Sequence, residues 1–261
     1  MRQKETNLVL GWLYPELMSI YGDRGNMLCL IKRCSWRNIG ARVKPIEFET
    51  PEEDIRKCDL ILGGGAQDRQ QEMVAADLLK YKGKILIDMF KKGTPGLFVC
   101  GSPQLLGKYY ITGDGKKLPG IGLFDYYTRH FGLDKPRCIG NTVGKISTKF
   151  QVPNTKFKDT IVGFENHGGR TYLGKEVEPF AKVVFGNGNN GEDGTEGATY
   201  KNVIACYYHG PFLPKNPHIA DWLIAKALEV KYKRGVKLKE LDDMLEWKAH
   251  DSMLKRLGVS S

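Results

Sequence analysis

Two apolar runs that stop abruptly at small residues constrain this chain more than any other feature. Cys58–Leu62 runs straight into Gly63, Gly64 and Gly65, and Gly96–Val99 runs straight into Cys100 and Gly101. Short runs of this kind, without polar alternation, suit strands buried on both faces. Between them, roughly Asp68–Lys91, apolar residues recur at helical spacing, with a break expected near Gly83. Upstream, Leu8–Leu13 and Ala41–Phe48 read as strands on either side of a helix over Gly25–Ile39. Strand and helix in alternation imply an α/β fold: a mostly parallel sheet covered by helices on both faces.

The second half changes character. Segments around Asp125–Phe131, Asn141–Lys149, Thr160–Phe164, Ala181–Phe185 and Val203–Tyr208 read as strands joined by glycine-rich turns. Gly186–Gly197 (GNGNNGEDGTEG) reads as a flexible, solvent-exposed hairpin connection. Helix returns at Pro217–Tyr232. Beyond it, Lys237–Leu257 carries Leu238, Leu241 and Leu245 at helical spacing, as a helix docked on the body or on a partner would.

Other classes of protein fit poorly. The apolar runs are too short to span a bilayer. The N-terminal stretch MRQKETNLVLGWLYPE lacks the apolar core and cleavage site of a secretory signal, so a cytoplasmic protein is expected. The formal charge of +10 favours acidic partners, but Lys and Arg are scattered and no nucleic-acid-binding signature appears. Six cysteines occur without C-x-x-C spacing, which indicates neither a metal site nor a disulfide framework.

Chemistry concentrates at the second apolar run. Cys100 sits where a buried strand turns sharply into a helix, a geometry that lifts a side chain out of the sheet and sets its sulfur at free backbone N–H groups. Pro103 suits the first helical turn. The Gly101 N–H is placed to receive an oxyanion. The plain alternative is a buried packing cysteine. A nucleophilic thiol needs a histidine, and His209 follows another apolar strand in ACYYHGP. His167, in GFENHGGR, is its rival. The glycines after Leu62 allow close backbone approach, and Gly64 and Gly65 are the expected second source of oxyanion donors. No G-x-x-x-x-G-K-[ST] loop is present, so any ATP-driven step belongs to another chain.

Taken together, PGLFVCGSPQLLGKYYI, DLILGGGAQDRQ, GFENHGGRTYLG, YYHGPFLPKNP and YGDRGN (Tyr21–Asn26) resemble the class I glutamine amidotransferases of the cobyric-acid-synthase-like branch. Within that branch they are most similar to the glutaminase subunits of lipid II isoglutaminyl synthases. The resemblance covers about residues 7–232, an amidotransferase domain, and leaves 233–261 as a C-terminal helical extension. It implies a flavodoxin-like fold and glutamine hydrolysis through a cysteinyl thioester, with Cys100 as nucleophile and His209 as base. It assigns Arg137 to the substrate glutamine, whose carboxylate an Arg grips bidentately. It also implies no cofactor, and a heterodimer with a Mur-ligase-like synthetase (MurT). That synthetase would use the ammonia to amidate the stem-peptide glutamate of lipid II, at the inner face of the membrane.

The sequence departs from the family pattern at two points. Glycines usually flank the nucleophile two residues before and after it; here those positions hold Phe98 and Ser102. The acid usually found two residues after the base is replaced by Pro211. Because no other acid stands at a recognisable spacing, the third member of the triad is expected from the synthetase partner, which would make hydrolysis depend on assembly. The missing acid also leaves open a catalytically inactive partner-binding scaffold. A cysteine hydrolase acting on other amides would use similar residues.

Overall fold

The computed structural model describes residues 6–132 and 134–260; residues 1–5, on which the reading of the N-terminus partly rests, and Ser261 lie outside them. Fourteen strands are present among the described residues. They are β1 (Asn7–Leu13), β2 (Gly40–Ile46), β3 (Leu60–Gly63), β4 (Gly96–Val99), β5 (Tyr109–Ile111), β6 (Lys117–Pro119) and β7 (Tyr126–His130), then β8 (Cys138–Lys145), β9 (Thr160–His167), β10 (Gly169–Leu173), β11 (Ala181–Phe185), β12 (Thr195–Glu196), β13 (Ala198–Tyr200) and β14 (Val203–Cys206). The helices are α1 (Arg24–Ser35), α2 (Glu52–Arg56), α3 (Asp68–Asp77), α4 (Gly83–Lys91), α5 (Gly101–Leu106), α6 (Pro217–Tyr232) and α7 (Met244–Arg256).

The central sheet has the order β13-β14-β4-β3-β1-β2. All its pairings are parallel except that of β13 with β14. Alternation along each strand fills the two layers. Leu60, Leu62, Leu97, Val99, Ile204 and Cys206 point into one apolar core with residues of α1 and α6. Ile61, Phe98, Val203 and Ala205 point into the other, with residues of α3, α4 and α5. A strand buried on both faces therefore shows no polar alternation in sequence, and that is why these runs are legible.

Parallel strands end on one edge, which is where ligands of such sheets bind. Here the edge carries the glycines after β3, Cys100 after β4, and His209 three residues beyond β14. Two smaller sheets flank it: β10-β7-β5-β6, and the antiparallel β12-β11-β8-β9. The second holds this edge directly, because Phe164 of β9 exchanges both backbone hydrogen bonds with His209, at 2.8 and 3.2 Å.

Three expectations are corrected. The path over Asp68–Lys91 does not break at Gly83; it passes through a π-helical turn, Leu78–Lys82, and continues. Gly186–Gly197 is not a loose exposed loop. Asn189 and Asn190 within it are buried, and the Asn189 amide bonds the Gly197 carbonyl at 3.0 Å. The C-terminal helix starts at Met244 rather than near Lys237, and Leu245 is 71 % exposed. Leu238 joins the core ahead of the helix, while Leu254 packs on Val143 and Val162 of the β8–β9 pair. The extension is also tied down by charge: Arg33 bonds both Asp221 and Asp243, with Arg37 closing on the far oxygen of Asp221.

Candidate active site

Cys100 stands at the turn between β4 and α5 with φ 56° and ψ −99°, a strained conformation for a residue with a Cβ. Its N–H still pairs with the Cys206 carbonyl at 2.9 Å, so the sheet holds the backbone while the side chain leaves the sheet. Phe98 and Ser102, which replace the family's flanking glycines, are accommodated by Gly63 on the neighbouring strand. A Cβ at Gly63 would lie 2.8 Å from Phe98 and 2.9 Å from Ser102. The Ser102 hydroxyl in turn bonds back to the N–H and carbonyl of Val99, each at 3.2 Å.

His209 is fully buried, and its Nδ1 donates to Asp23 Oδ1 at 3.0 Å. The acceptor is a carboxylate, so the proton sits on Nδ1 and Nε2 is left for the thiol. Burial alone would push the imidazole pKa down. The Cys100 charge and the Asp23 hydrogen bond outweigh it and raise the value to about 10. Nε2 makes no other hydrogen bond among the described residues, and Cys100 is near enough to raise the proton affinity of the ring. The Tyr21 ring closes edge-on over the imidazole at 5.0 Å.

Asp23 is the residue that sequence reasoning missed, and it supplies from within this chain a carboxylate for His209 of the kind expected from the synthetase partner. It stands at the N-cap position of α1, where an Asp ordinarily caps the helix, yet its side chain makes no capping bond. Instead the carboxylate bridges His209 Nδ1 and, at 2.7 Å, the Gly65 N–H. Pro211, at the family's acid position, packs on the first turn of α1: a Cβ at Gly25 would lie 2.5 Å from its ring. The missing carboxylate and its replacement are thus neighbours in space.

This bridge corrects the oxyanion assignment at Gly65, whose N–H is occupied by Asp23. An added Cβ at Gly64 would lie 2.5 Å from the Met18 carbonyl, which leaves no room there for a side chain. Ala66 and Gln67, just after the glycines, line the cavity with Cys100. The Ala66 backbone abuts Gly101, where an added Cβ would be 2.8 Å from Ala66 N.

That cavity, about 330 Å³, also gathers Arg137 and His167. Arg137 is exposed at the rim, with Nε and Nη2 bonded to the side chain and backbone oxygens of Asn166, both at 2.9 Å. His167 is buried and stacked on Tyr207, and its Nδ1 donates to the Gly169 carbonyl at 2.7 Å. Burial depresses its pKa to about 3, so it stays neutral and has no carboxylate partner. No cluster of metal-ligating side chains occurs among the described residues, and no helix there is long and apolar enough to cross a membrane.

Known proteins of similar sequence and fold give the family. The family model of the CobB/CobQ-like glutamine amidotransferase domain matches residues 9–217. The lipid II isoglutaminyl synthase (glutamine-hydrolyzing) subunit GatD of Staphylococcus aureus is 39 % identical over 241 residues, covering 92 % of this chain and 91 % of that one. Its Streptococcus pneumoniae counterpart is 36 % identical, covering 91 % and 87 %. Among solved structures, a glutamine amidotransferase superposes with a TM-score of 0.56 at 14 % identity, covering 84 % of this chain and 98 % of that one. The glutaminase domain of Trypanosoma brucei CTPS gives 0.54 at 12 %, covering 89 % and 98 %. At those identities the structures speak to the fold alone, and the α/β amidotransferase fold expected from sequence is the one observed. The chain belongs to the CobB/CobQ-like glutamine amidotransferase family.

Proposed function

We infer that this chain is the glutaminase subunit of a lipid II isoglutaminyl synthase. It hydrolyses glutamine to glutamate and passes the ammonia to a Mur-ligase-like synthetase, MurT, in a heterodimer. There the ammonia amidates the stem-peptide glutamate of lipid II, at the cytoplasmic face of the membrane. The observation that carries the glutaminase reading is the Cys100–His209–Asp23 arrangement at one sheet edge beside a cavity sized for an amino acid. The two relatives of near-equal length, each a subunit of a lipid II isoglutaminyl synthase, support the acceptor and the need for a second subunit. Residues 7–232 form the amidotransferase unit in this reading, with 233–261 as an extension of separate role.

In the mechanism the Cys100 thiolate attacks the side-chain carboxamide carbon of glutamine. The developing oxyanion is received by backbone N–H groups of Gly101 and Ala66. His209, protonated at both nitrogens and steadied by Asp23, gives the Nε2 proton to the departing nitrogen, and ammonia leaves. Water then attacks the thioester, His209 takes its proton, and glutamate is released. Arg137 holds the α-carboxylate. The inactive-scaffold reading loses its motive once Asp23 fills the acid position.

The test is ammonia release from glutamine by the chain alone and with its synthetase, together with labelling by a glutamine-analogue electrophile. Label on Cys100 with lipid II amidation by the pair is expected; glutamine turnover without amidation would remove the lipid II assignment and leave the glutaminase.

A further inference from the structure

The loop Gly186–Gly197 has no part in the mechanism above, yet two buried glutamates fasten it to strands on either side of His209. Glu165 and Glu196 are each 1 % exposed. Glu165 stands in β9 and holds the start of the loop. Its Oε1 accepts from the backbone and side-chain N–H groups of Asn187, at 2.8 and 2.6 Å, and its Oε2 from the Gly188 N–H at 3.0 Å. Glu196 stands near the end of the loop, in β12, and its Oε1 accepts from the Tyr207 N–H at 2.6 Å.

Both attachments lie beside the base. Phe164, the residue before Glu165, exchanges both backbone hydrogen bonds with His209. Tyr207 comes two residues before His209 and is the first residue past β14, beyond the last pair of that strand with β13, Ala198 with Ala205. A buried backbone N–H needs a partner, and here a side chain takes the place of a strand carbonyl. Between the glutamates the loop is closed on itself. The Asn189 N–H donates to the Thr195 carbonyl, and the Asn189 side-chain oxygen accepts from the Gly197 N–H, both at 2.8 Å. Gly197 also abuts β14, where an added Cβ would lie 2.3 Å from the Ala205 carbonyl. Glu165, the loop and Glu196 therefore make a continuous brace from β9 to the segment that leads into His209.

The two glutamates use their oxygens differently. Both oxygens of Glu165 accept, so an amide in its place would set an NH₂ group against an N–H donor. Glu196 Oε2 has no partner among the described residues. Burial raises the Glu196 pKa to about 8 against the pull of the Tyr207 N–H, so its side chain is a neutral acid at pH 7. A glutamine reproduces a neutral acceptor of that shape. Neither glutamate lines the cavity that holds Cys100, so any effect on the chemistry passes through the backbone.

We propose that Glu165 and Glu196 are positioning residues for the base: through the loop Gly186–Gly197 they hold the backbone from which the His209 imidazole reaches Asp23 and the thiol. This rests on the reading of His209 as the base of a glutaminase.

The experiment measures kcat and KM for glutamine in the chain assembled with its synthetase. Active sites are counted by labelling Cys100 to completion with a glutamine-analogue electrophile. A residue that only supports the fold lowers the number of active sites; a positioning residue lowers kcat per labelled site. Glu196→Leu removes the acceptor and is expected to lower kcat per site by roughly 10- to 100-fold, the scale of a small misplacement of a catalytic group, with KM changed little. Glu196→Gln should keep most of the wild-type kcat. Glu165→Gln, the same exchange of acid for amide, should lose as much as Glu196→Leu. Wild-type kcat per site in both Glu196→Leu and Glu165→Gln would overturn the proposal, as would equal losses in Glu196→Gln and Glu196→Leu. Glu196→Asp, shorter by one methylene and unable to keep the Tyr207 N–H, decides the matter should Glu196→Leu fail to fold: a loss is expected, and wild-type kcat per site sinks the idea. Inactive His209→Gln beside a failed brace would leave the base reading standing; active His209→Gln would overturn that reading itself.

Discussion

Asp23 and His209 lie 186 residues apart in the chain and meet in a hydrogen bond of 3.0 Å, both buried, at the edge of the sheet where Cys100 emerges. In the proposed mechanism the contact completes a nucleophile–base–acid relay within one polypeptide. It also ties the base to the glycine loop, because the other Asp23 oxygen holds the Gly65 N–H. One carboxylate therefore fixes the tautomer of the base and the position of the loop that follows β3.

The first prediction tests that contact. Asp23→Asn keeps the shape but presents an amide in place of the carboxylate, and Asp23→Ala removes both bonds. Glutamine hydrolysis should fall by about 10²–10⁴-fold in either, with KM changed much less, as expected when the orienting acid of a triad is lost. The chain without its partner should show the same proportional loss. Equal activity in Asp23→Ala and the unaltered chain would return the acid role to a partner residue.

The elbow supplies a second prediction. With φ at 56°, Cys100 adopts a conformation natural only to glycine. Cys100→Ala and Cys100→Gly should both abolish ammonia release. Cys100→Gly should be the more stable of the two by about 1 kcal/mol, the order of strain such a residue stores. Thermal unfolding of both variants measures it; an Ala variant as stable as the Gly variant would mean the backbone is relaxed.

Gly63 supplies a third. A methyl there would meet Phe98 and Ser102 under 3 Å, inside a packed layer. Gly63→Ala should destabilise by about 1–3 kcal/mol, the usual result of overpacking. Adding Ser102→Gly should recover part of that loss, because it removes one of the two clashes. Strict additivity of the two substitutions in denaturant unfolding would show that they do not share the space.

Much of this could be read in the sequence, for a physical reason. β3, β4 and β14 are buried on both faces and so appear as unbroken apolar runs, and the residues that end them are the chemical ones. Cys100 and His209 were legible because strand-end position follows from local pattern. Asp23 was not. An Asp opening a helix reads as a cap, and nothing local says that its side chain turns away to a histidine near the other end of the chain. The Gly65 N–H was misread for the same reason, since its occupant comes from a distant segment. Gly186–Gly197 misled by composition: its asparagines look solvated, but Asn189 satisfies the Gly197 carbonyl inside the turn and Asn190 the Thr171 carbonyl of β10. The helical spacing of Leu238, Leu241 and Leu245 suggested one docking face, whereas Leu238 and Leu254 provide the contacts from outside and inside the helix.

Arg137 offers a fourth prediction. Its guanidinium already spends two donors on Asn166, which holds the fork at the cavity rim. Arg137→Ala should raise the KM for glutamine by roughly 10- to 100-fold, the scale of a lost charged hydrogen-bond pair. Arg137→Lys should recover little, because an ammonium cannot bond Asn166 and a carboxylate with one planar group. Asn166→Ala should mimic part of the effect by freeing the arginine. Unchanged glutamine kinetics in Arg137→Ala would remove it from the substrate site.

The last prediction concerns pH. In the folded protein His209 titrates near 10, against an ordinary value of 6.5, because Cys100 and Asp23 favour the imidazolium more than burial opposes it. A group with a raised folded pKa stabilises the fold fully below its unfolded pKa. That contribution declines as pH rises above about 6.5 and is lost once pH passes about 10. Stability at pH 7 should therefore exceed stability at pH 10 by more in the unaltered chain than in His209→Gln, which has no such group. Catalysis should follow the same proton. The imidazolium donates to the leaving nitrogen, so kcat/KM for glutamine should hold through the neutral range and decline as pH approaches 10. His167, neutral down to about pH 3, adds no limb in between. Asp23→Asn removes one of the two influences that raise the His209 pKa, so its alkaline limb should move to lower pH. Measuring kcat/KM between pH 6 and 11 in both proteins decides the point. An alkaline limb that stays in place when Asp23 is neutralised would show that this carboxylate does not set the proton affinity of the base.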